Sequence, residues 1–344
     1  MGLSRNNHYI PQLYLSRWAN NGRIYVYRTI VSHEKVPIWS ESSIVHTASI
    51  ENLYVSIRND IESDGFERFL ANEIESPVKE SLDKICNDEK TKSEDWSRIS
   101  KYVLAQFVRT PRFYYWVREF GINALPEQLD ILCHKLEMMK NIPTEGRIIT
   151  EESSYLPIGV KISNDKSSDD TTLIEISTIA GKGLWLFAMK HTLDKSSPVN
   201  TFFHNLKWSV ISAPENMLWS CSDNPVVICS IVDGVISISS IKNGIIGKDK
   251  AVLFPVSPQK VLIGMQRRMY DWHIKANERL AYEIEKCIVL NAMLYIYSKS
   301  KDEIVPQIRP RCVDEEEYKR LNQELSSWYN SYKSIEGPLL KGNE

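Results

Sequence analysis

His8, Gln12 and Arg17 crowd into an otherwise aromatic and aliphatic opening, HYIPQLYLSRWANNGRIYVY, from His8 to Tyr27. A histidine there can act as a base, bind a metal or donate to a phosphate, and Gln12 is close enough in sequence to orient it. A second pair lies on a helical stretch. Gln106 falls inside the arc that holds Trp96, Ile99, Tyr102 and Val103, and Arg109 sits at its rim. An unpaired buried amide costs about 1–3 kcal/mol, so Gln106 needs partners. Arg109 can grip a carboxylate or phosphate through two parallel bonds. The pair either faces an anionic ligand or anchors the interior, with Arg109 matched to a Glu. Asp223 and Asn224 lie in SDNP, between two strand-like runs. They form either a turn that bonds its own backbone or a site at a strand end.

Helices and strands must bring these groups together. Pro11 suits the first turn of a helix that Asn20-Asn21-Gly22 ends, and RIYVYR (23–28) alternates as a strand does. Val36 to Trp39 and Leu53 to Ile57 are further short strand candidates. Asp64 is placed to cap a helix with Phe66, Phe69, Leu70 and Ile74 on one face, and Pro77 should kink or restart it. That phase turns Glu73 inward and Glu75 outward. Ser93 should cap the next helix, whose stripe is Trp96, Ile99, Val103, Leu104 and Phe107. Pro111 perturbs it, and residues 126–141 form another helix. Residues 163–172 read as a loop, and Thr172 to Leu193 as a helix into which Gly181 and Gly183 intrude. From Lys207 to Gln266, short β-type runs (WSVI, MLWSC, VVIC, VISISS, AVLFPV, KVLIGM) predict the main sheet, mostly antiparallel. A helix from Ala276 to Leu294, the strand YIYS and a C-terminal helix capped by Asp314 follow. The reading is α+β: a helical N-terminal half with a small β layer, packed on that sheet. We expect one domain over 1–344, with a helical lobe about 1–200, a sheet lobe about 201–300 and the last helix about 314–334.

Composition bounds the function. The chain has 344 residues, 42% hydrophobic and 25% charged, as a folded soluble protein does. A formal net charge of -2 argues against a strong global field for nucleic acid or acidic membranes. No secretory leader and no apolar run of bilayer length is visible. Six scattered cysteines without CxxC read as reduced thiols of a cytoplasmic protein. The P-loop, GxGxxG, GxSxG and HExxH patterns are absent, and no His/Cys cluster has zinc spacing. RTPRFYYWVREF interleaves Arg with aromatics, which suits single-stranded nucleic acid or a core helix with a basic rim; the balanced charge favours the core helix.

Five segments carry a resemblance to the bacterial domain-of-unknown-function family numbered 4238. They are the opening itself, FERFLANEIESPVKESLDKI, YVLAQFVRTPRF, WSCSDNPVV with LFPVSP, and LNAMLYIYS. The resemblance spans about residues 8–298. Trp18 stands where a Phe is more usual. It implies a bacterial, intracellular protein and brings no activity with it. It also favours Glu67 and Glu75 as the shared acids, against the helical phase, and Glu73 is kept in reserve.

Two functions follow. In the first, His8, Glu75 and Asp223 do chemistry while Gln12, Gln106, Arg109 and Asn224 bind substrate. Glu67, Glu75 and Asp223 would hold a divalent cation such as Mg. A hydrolase acting on a phosphodiester or other phosphate-bearing ligand, nucleic acid included, fits those residue types. In the second, the same residues are an internal network of a non-enzymatic binding or sensing protein, a stress or phage-defence component. A protein partner could then meet the Tyr/Leu/Trp stripe of the C-terminal helix. Convergence on one solvent-reachable pocket favours the first; dry, mutually paired groups favour the second.

Overall fold

The computed structural model describes residues 3–58, 61–137, 146–149, 158–164, 172–178, 181–232, 235–239, 246–247, 249–267 and 273–336. The chain starts with β1 (Asn6–His8). Pro11 then caps a single helical turn, α1 (Gln12–Leu15), by accepting from Tyr14 and Leu15 through its carbonyl. Asn21 and Gly22, at φ 48° and 72°, turn the chain into β2 (Arg23–Arg28), the strand anticipated for RIYVYR. β3 (Ile30–Val31) follows, then β4 (Trp39–Ser43), which starts where a strand from Val36 was expected to end. Val36 instead closes a turn onto the His33 carbonyl, and Pro37 has no N–H to give a ladder. The expected strand 53–57 is replaced by β5 (Ser49–Glu51) and β6 (Ser56–Arg58), divided by a turn in which Asn52 takes φ 55°. β1 pairs antiparallel with β5, which docks the opening residues onto the body.

After β7 (Ile61–Ser63), α2 (Gly65–Leu70) runs through one π turn (Ala71–Glu75) into α3 (Ser76–Cys86). Pro77 falls in the first turn of α3, where its missing N–H costs little, and the widened turn before it takes the place of the expected kink. The π turn also changes the phase: Glu73 is exposed and Glu75 is half-buried. α4 (Ser93–Val108) begins one residue after Lys92, so Ser93 is not the cap. Asp95 accepts from the Lys92 N–H at 2.8 Å, and its other contacts, Ser81 and Lys84, tie α3 to α4. α5 (Pro111–Glu137) is one helix with Pro126 inside it, where two were expected.

β8 (Gly146–Ile149), β9 (Ile158–Asn164) and β10 (Thr172–Thr178) form a three-stranded antiparallel sheet. The expected helix 172–193 is therefore wrong in its first third. TLIEIST carries β-branched residues at every second position, a strand pattern, and the helix α6 (Lys182–Leu193) starts only after Gly181. Of the expected loop 163–172, positions 165–171 lie outside the described residues. α7 (Pro198–His204) is capped by the Ser197 hydroxyl.

The main sheet then forms from β11 (Lys207–Ser212), with β12 (Cys221–Ser222) joining the sheet of β2 instead. β13 (Val227–Val232), β14 (Val235–Ile238), β15 (Lys250–Ser257), β16 (Lys260–Met265) and β17 (His273–Lys275) complete six strands in the order β14-β13-β15-β16-β11-β17. All its pairs are antiparallel except β11 with β17. Every residue of β15 is buried, because alternate side chains serve two cores. Val252 and Phe254 face α1 and α4, whereas Ala251 and Leu253 face α8 (Glu278–Asn291). β18 (Tyr295–Ser298) lies between β2 and β12, and α9 (Ile304–Ile308), β19 (Cys312–Val313), α10 (Glu315–Ser331) and a π turn (Tyr332–Glu336) end the described chain. Asp314 caps α10 as expected. The fold is mixed α+β, with small sheets and helices first and a mostly antiparallel six-stranded sheet after them.

Candidate functional site

Arg109 stands at the C-cap of α4, where the helix dipole favours a cation, and it is 1% exposed. Its Nη1 donates to Glu75 Oε1 at 2.6 Å, its Nη2 to the His8 carbonyl at 2.6 Å and its Nε to the Tyr54 hydroxyl at 3.2 Å. The guanidinium also lies 5.6 Å from the Tyr54 ring centroid. Burial works against its charge, but Tyr54 and Glu75 outweigh that and hold it firmly protonated. Three of the five resembling segments thus meet at one side chain.

The other predicted residues are distributed around it. The His8 ring donates through Nε2 toward the Ile44 and Val45 carbonyls, at 3.3 and 3.1 Å. Burial lowers its pKa, so the neutral imidazole is favoured. Gln12 is exposed at the start of α1. Glu67 lies within the field of both Arg109 and Glu75. Burial raises its pKa, and its Oε2 has no hydrogen-bond partner. Gln106 is fully buried, and neither end of its amide is bonded; the hydroxyls of Tyr14 and Tyr102 are unbonded as well. Tyr102 sits one turn before Gln106 on α4, and both tyrosines pack on Phe254.

Asp223 and Asn224 form a second knot. The Asp223 carboxylate accepts from the backbone N–H groups of Met293, Leu294 and Tyr295, at 2.7, 2.7 and 3.0 Å. Burial pushes its pKa up to about 6 in spite of these bonds. Asn224 Nδ2 donates to the Asn291 carbonyl, and Asn291 Nδ2 donates to the carbonyls of Asn224 and Val226. Arg309 donates to the carbonyls of Val289, Ala292 and Met293 beside them. SDNP is therefore a turn that bonds its own backbone, with Ser222 Oγ accepting from the Asn224 N–H at 3.3 Å, while Asp223 and Asn224 bond the 291–295 segment.

Glu67, Glu75 and Asp223 do not gather as a cation site. Among the described residues no three His, Cys, Asp or Glu side chains stand close enough to hold a metal. Mg favours six oxygens in octahedral order, and here Glu75 is already paired with the Arg109 guanidinium. The residues present do not fit that ion.

Sequence reasoning passed over several members of these knots. Tyr54 is one, and Asn7, whose Oδ1 accepts from the Tyr54 N–H, is another. Lys182 is buried and donates to the carbonyls of Asn52 and Val55 at 2.8 and 2.6 Å, which holds the β5–β6 turn. No local pattern marks these. Glu285 could have been found. It follows Ala281 and Ile284 and precedes Ile288 on the buried stripe of α8, and it accepts from the Ser220 N–H at 3.0 Å. Burial pushes its pKa up to about 7.

A solvent-reachable hollow lies apart from both knots. A groove of about 1440 Å³ runs between α2, α4, α6 and α7. Phe66, Phe69, Leu104, Leu186, Phe187 and Phe203 give it an apolar lining, and Lys101, Lys190, Lys195 and His204 rim it. Phe69 and Phe187 are 37% and 42% exposed. Neither Arg109 nor Asp223 lines it. The apolar stripe of α10 is used internally, with the Trp328 ring centroid 4.0 Å from that of Tyr114 and the two planes tilted by 37°. No helix among the described residues is long and apolar enough to cross a membrane.

A family model described as a protein of unknown function (DUF4238) matches residues 6–302. No curated protein and no solved structure matches the chain.

Proposed function

The chain belongs to the DUF4238 family, and from that premise we propose that it is a binding protein whose shared polar residues organise the fold. One observation carries this reading: the donors of Arg109 are engaged by Glu75, Tyr54 and the His8 carbonyl, inside the protein. A guanidinium that is 1% exposed and already holds three internal acceptors is closed to a phosphate arriving from solvent. Asp223 is engaged likewise by three backbone amides. Ligands then meet the protein at the groove beside α4, whose exposed phenylalanines and lysine rim suit an amphipathic anion.

The test uses the anionic dye 8-anilinonaphthalene-1-sulfonate. Wild type should bind it with a rise in fluorescence, Phe187→Glu should not, and Arg109→Lys should bind it normally at temperatures where it stays folded. A second reading, hydrolysis of a phosphate-bearing substrate, draws on the nearness of Glu67 to Glu75 and the raised pKa of Glu67. Cleavage of bis(p-nitrophenyl) phosphate that Glu75→Gln abolishes without unfolding the protein would replace the binding reading by that one.

A further inference from the structure

The groove is built from helix faces. α4 gives it Ser97, Ser100, Lys101 and Leu104, and α6 gives it Gly183, Leu186, Phe187, Lys190 and Leu193. Both sets follow the i, i+3, i+4, i+7 spacing of a face turned toward a neighbouring helix. Phe66 and Phe69 of α2 add the same spacing from the near wall. The α6 stripe extends for about 15 Å at 1.5 Å per residue, close to three turns. The volume exceeds the range of about 300–1000 Å³ usual for small-molecule pockets.

Charge is asymmetric along the rim. Lys101, Lys190 and Lys195 line the groove, and among the described residues the one acid that lines it is Asp194. Its Oδ1 already accepts from the N–H and hydroxyl of Ser196. Lys101 holds its place by donating to the Glu73 carbonyl, with its ammonium 5.7 Å from the Phe69 ring. The Lys101 ammonium therefore stands over an apolar ring of the groove, and Lys190 and Lys195 line the α6 side.

We propose that this groove docks an acidic amphipathic helix from a partner protein, with its apolar face on Leu104, Leu186 and Phe187 and its carboxylates against Lys101, Lys190 and Lys195. The inference rests on the binding reading above and names the partner class for that groove. Helix-in-groove recognition uses this pairing of apolar anchors at i, i+3, i+4 and i+7 with a charged rim. A single nucleic-acid strand fits less well. Its phenylalanines share their helix faces with Leu104, Leu186 and Leu193 instead of forming a run of stacking platforms, and no arginine is among the described residues that line it.

The experiment is a display selection of 14-residue peptides with random sequence against the full-length protein, with Phe187→Glu as the counter-target. Enriched peptides should carry apolar residues at i, i+3 or i+4 and i+7 with Asp or Glu between them. The best synthetic peptide should become helical on binding. It should lose at least about tenfold in affinity to Lys190→Glu/Lys195→Glu, and a Glu-to-Lys version should regain affinity for that variant. These lysines and Phe187 are exposed, so the variants fold. No enrichment over the counter-target, enrichment without helical spacing, or a preference for basic peptides overturns the inference. Tight binding of oleate or of a single-stranded oligonucleotide at the groove, without peptide enrichment, overturns it too. If the sulfonate dye still binds and Phe187→Glu abolishes that binding, the binding reading survives the loss of the helix; if the dye fails as well, both are lost.

Discussion

The Thr110 hydroxyl stands 3.4 Å from Asn224 Oδ1, across 114 residues of chain, and joins the two polar knots. Its backbone neighbour Arg109 gathers His8, Tyr54 and Glu75, while Asn224 is paired with Asn291. The five segments that carry the family resemblance therefore form one connected polar spine. It runs between the helices of the first half and the sheet of β2 and β18.

A spine of this kind should show coupling. Arg109→Lys keeps a charge but gives up the fork that reaches three acceptors in different directions, and should cost about 3–5 kcal/mol. Asn224→Ala leaves the Asn291 carbonyl without its side-chain donor, at about 1–3 kcal/mol. Because Thr110 links the two sites, the double variant should depart from additivity by more than about 0.5 kcal/mol. Urea melts of the four proteins give the cycle. Additive energies would mean that the knots are independent.

How much of this was legible beforehand depended on phase. The order of helices and the strands of the main sheet follow from periodicity and turn residues, as for RIYVYR and Asp314. Gln106 was placed inward by the 3.6-residue repeat, and it is buried. Periodicity failed where the backbone left its regular form. The π turn before Pro77 exposes Glu73 and carries Glu75 to Arg109, a change no straight-helix projection contains. TLIEIST was absorbed into a helix although its β-branched alternation argued for a strand. Tyr54 acts through its hydroxyl on Arg109, and Lys182 through the carbonyls of a turn with a positive φ at Asn52; long-range closure of that sort leaves no local pattern.

Gln106 offers the sharpest test of whether the interior beside α4 is dry. Neither its Oε1 nor its Nε2 has a partner, so Gln106→Leu removes two unpaired polar atoms of similar volume. The substitution should raise stability, by about 1–3 kcal/mol. Chemical denaturation decides it: a loss of more than about 1 kcal/mol would show that the amide is bonded through water to its surroundings.

Gly264 lies opposite Trp208 in the β11–β16 pair, and a Cβ there would meet the indole at 2.7–2.9 Å. Trp208 in turn donates through Nε1 to Ser100 of α4 at 2.8 Å, which fixes that helix on the sheet. Gly264→Ala must push the ring aside and break this bond. We expect a loss of about 1–3 kcal/mol and a shift in tryptophan emission. Trp208→Phe should abolish the spectral shift; if it does not, the disturbance lies elsewhere.

The last prediction concerns pH. Glu285 is fully buried, and its pKa is raised by burial from 4.5 to about 7, against the opposing bond from the Ser220 N–H. The folded protein keeps this proton where the unfolded chain has released it. Stability therefore falls as pH rises from about 4.5 to 7, by a span of about 3 kcal/mol, and the loss is complete above that window. Asp223, raised from 3.8 to about 6, adds a slope of the same sign at the lower end of the range. Glu285→Gln stays neutral and can still accept from Ser220. It should match wild type near pH 4 and exceed it at pH 8, flattening the upper part of the profile. Melting temperatures from pH 4 to 9 read this directly. Parallel profiles for the two proteins would mean that Glu285 is ionised in the folded state at neutral pH, and that the orphaned Oε1 finds a donor in solution.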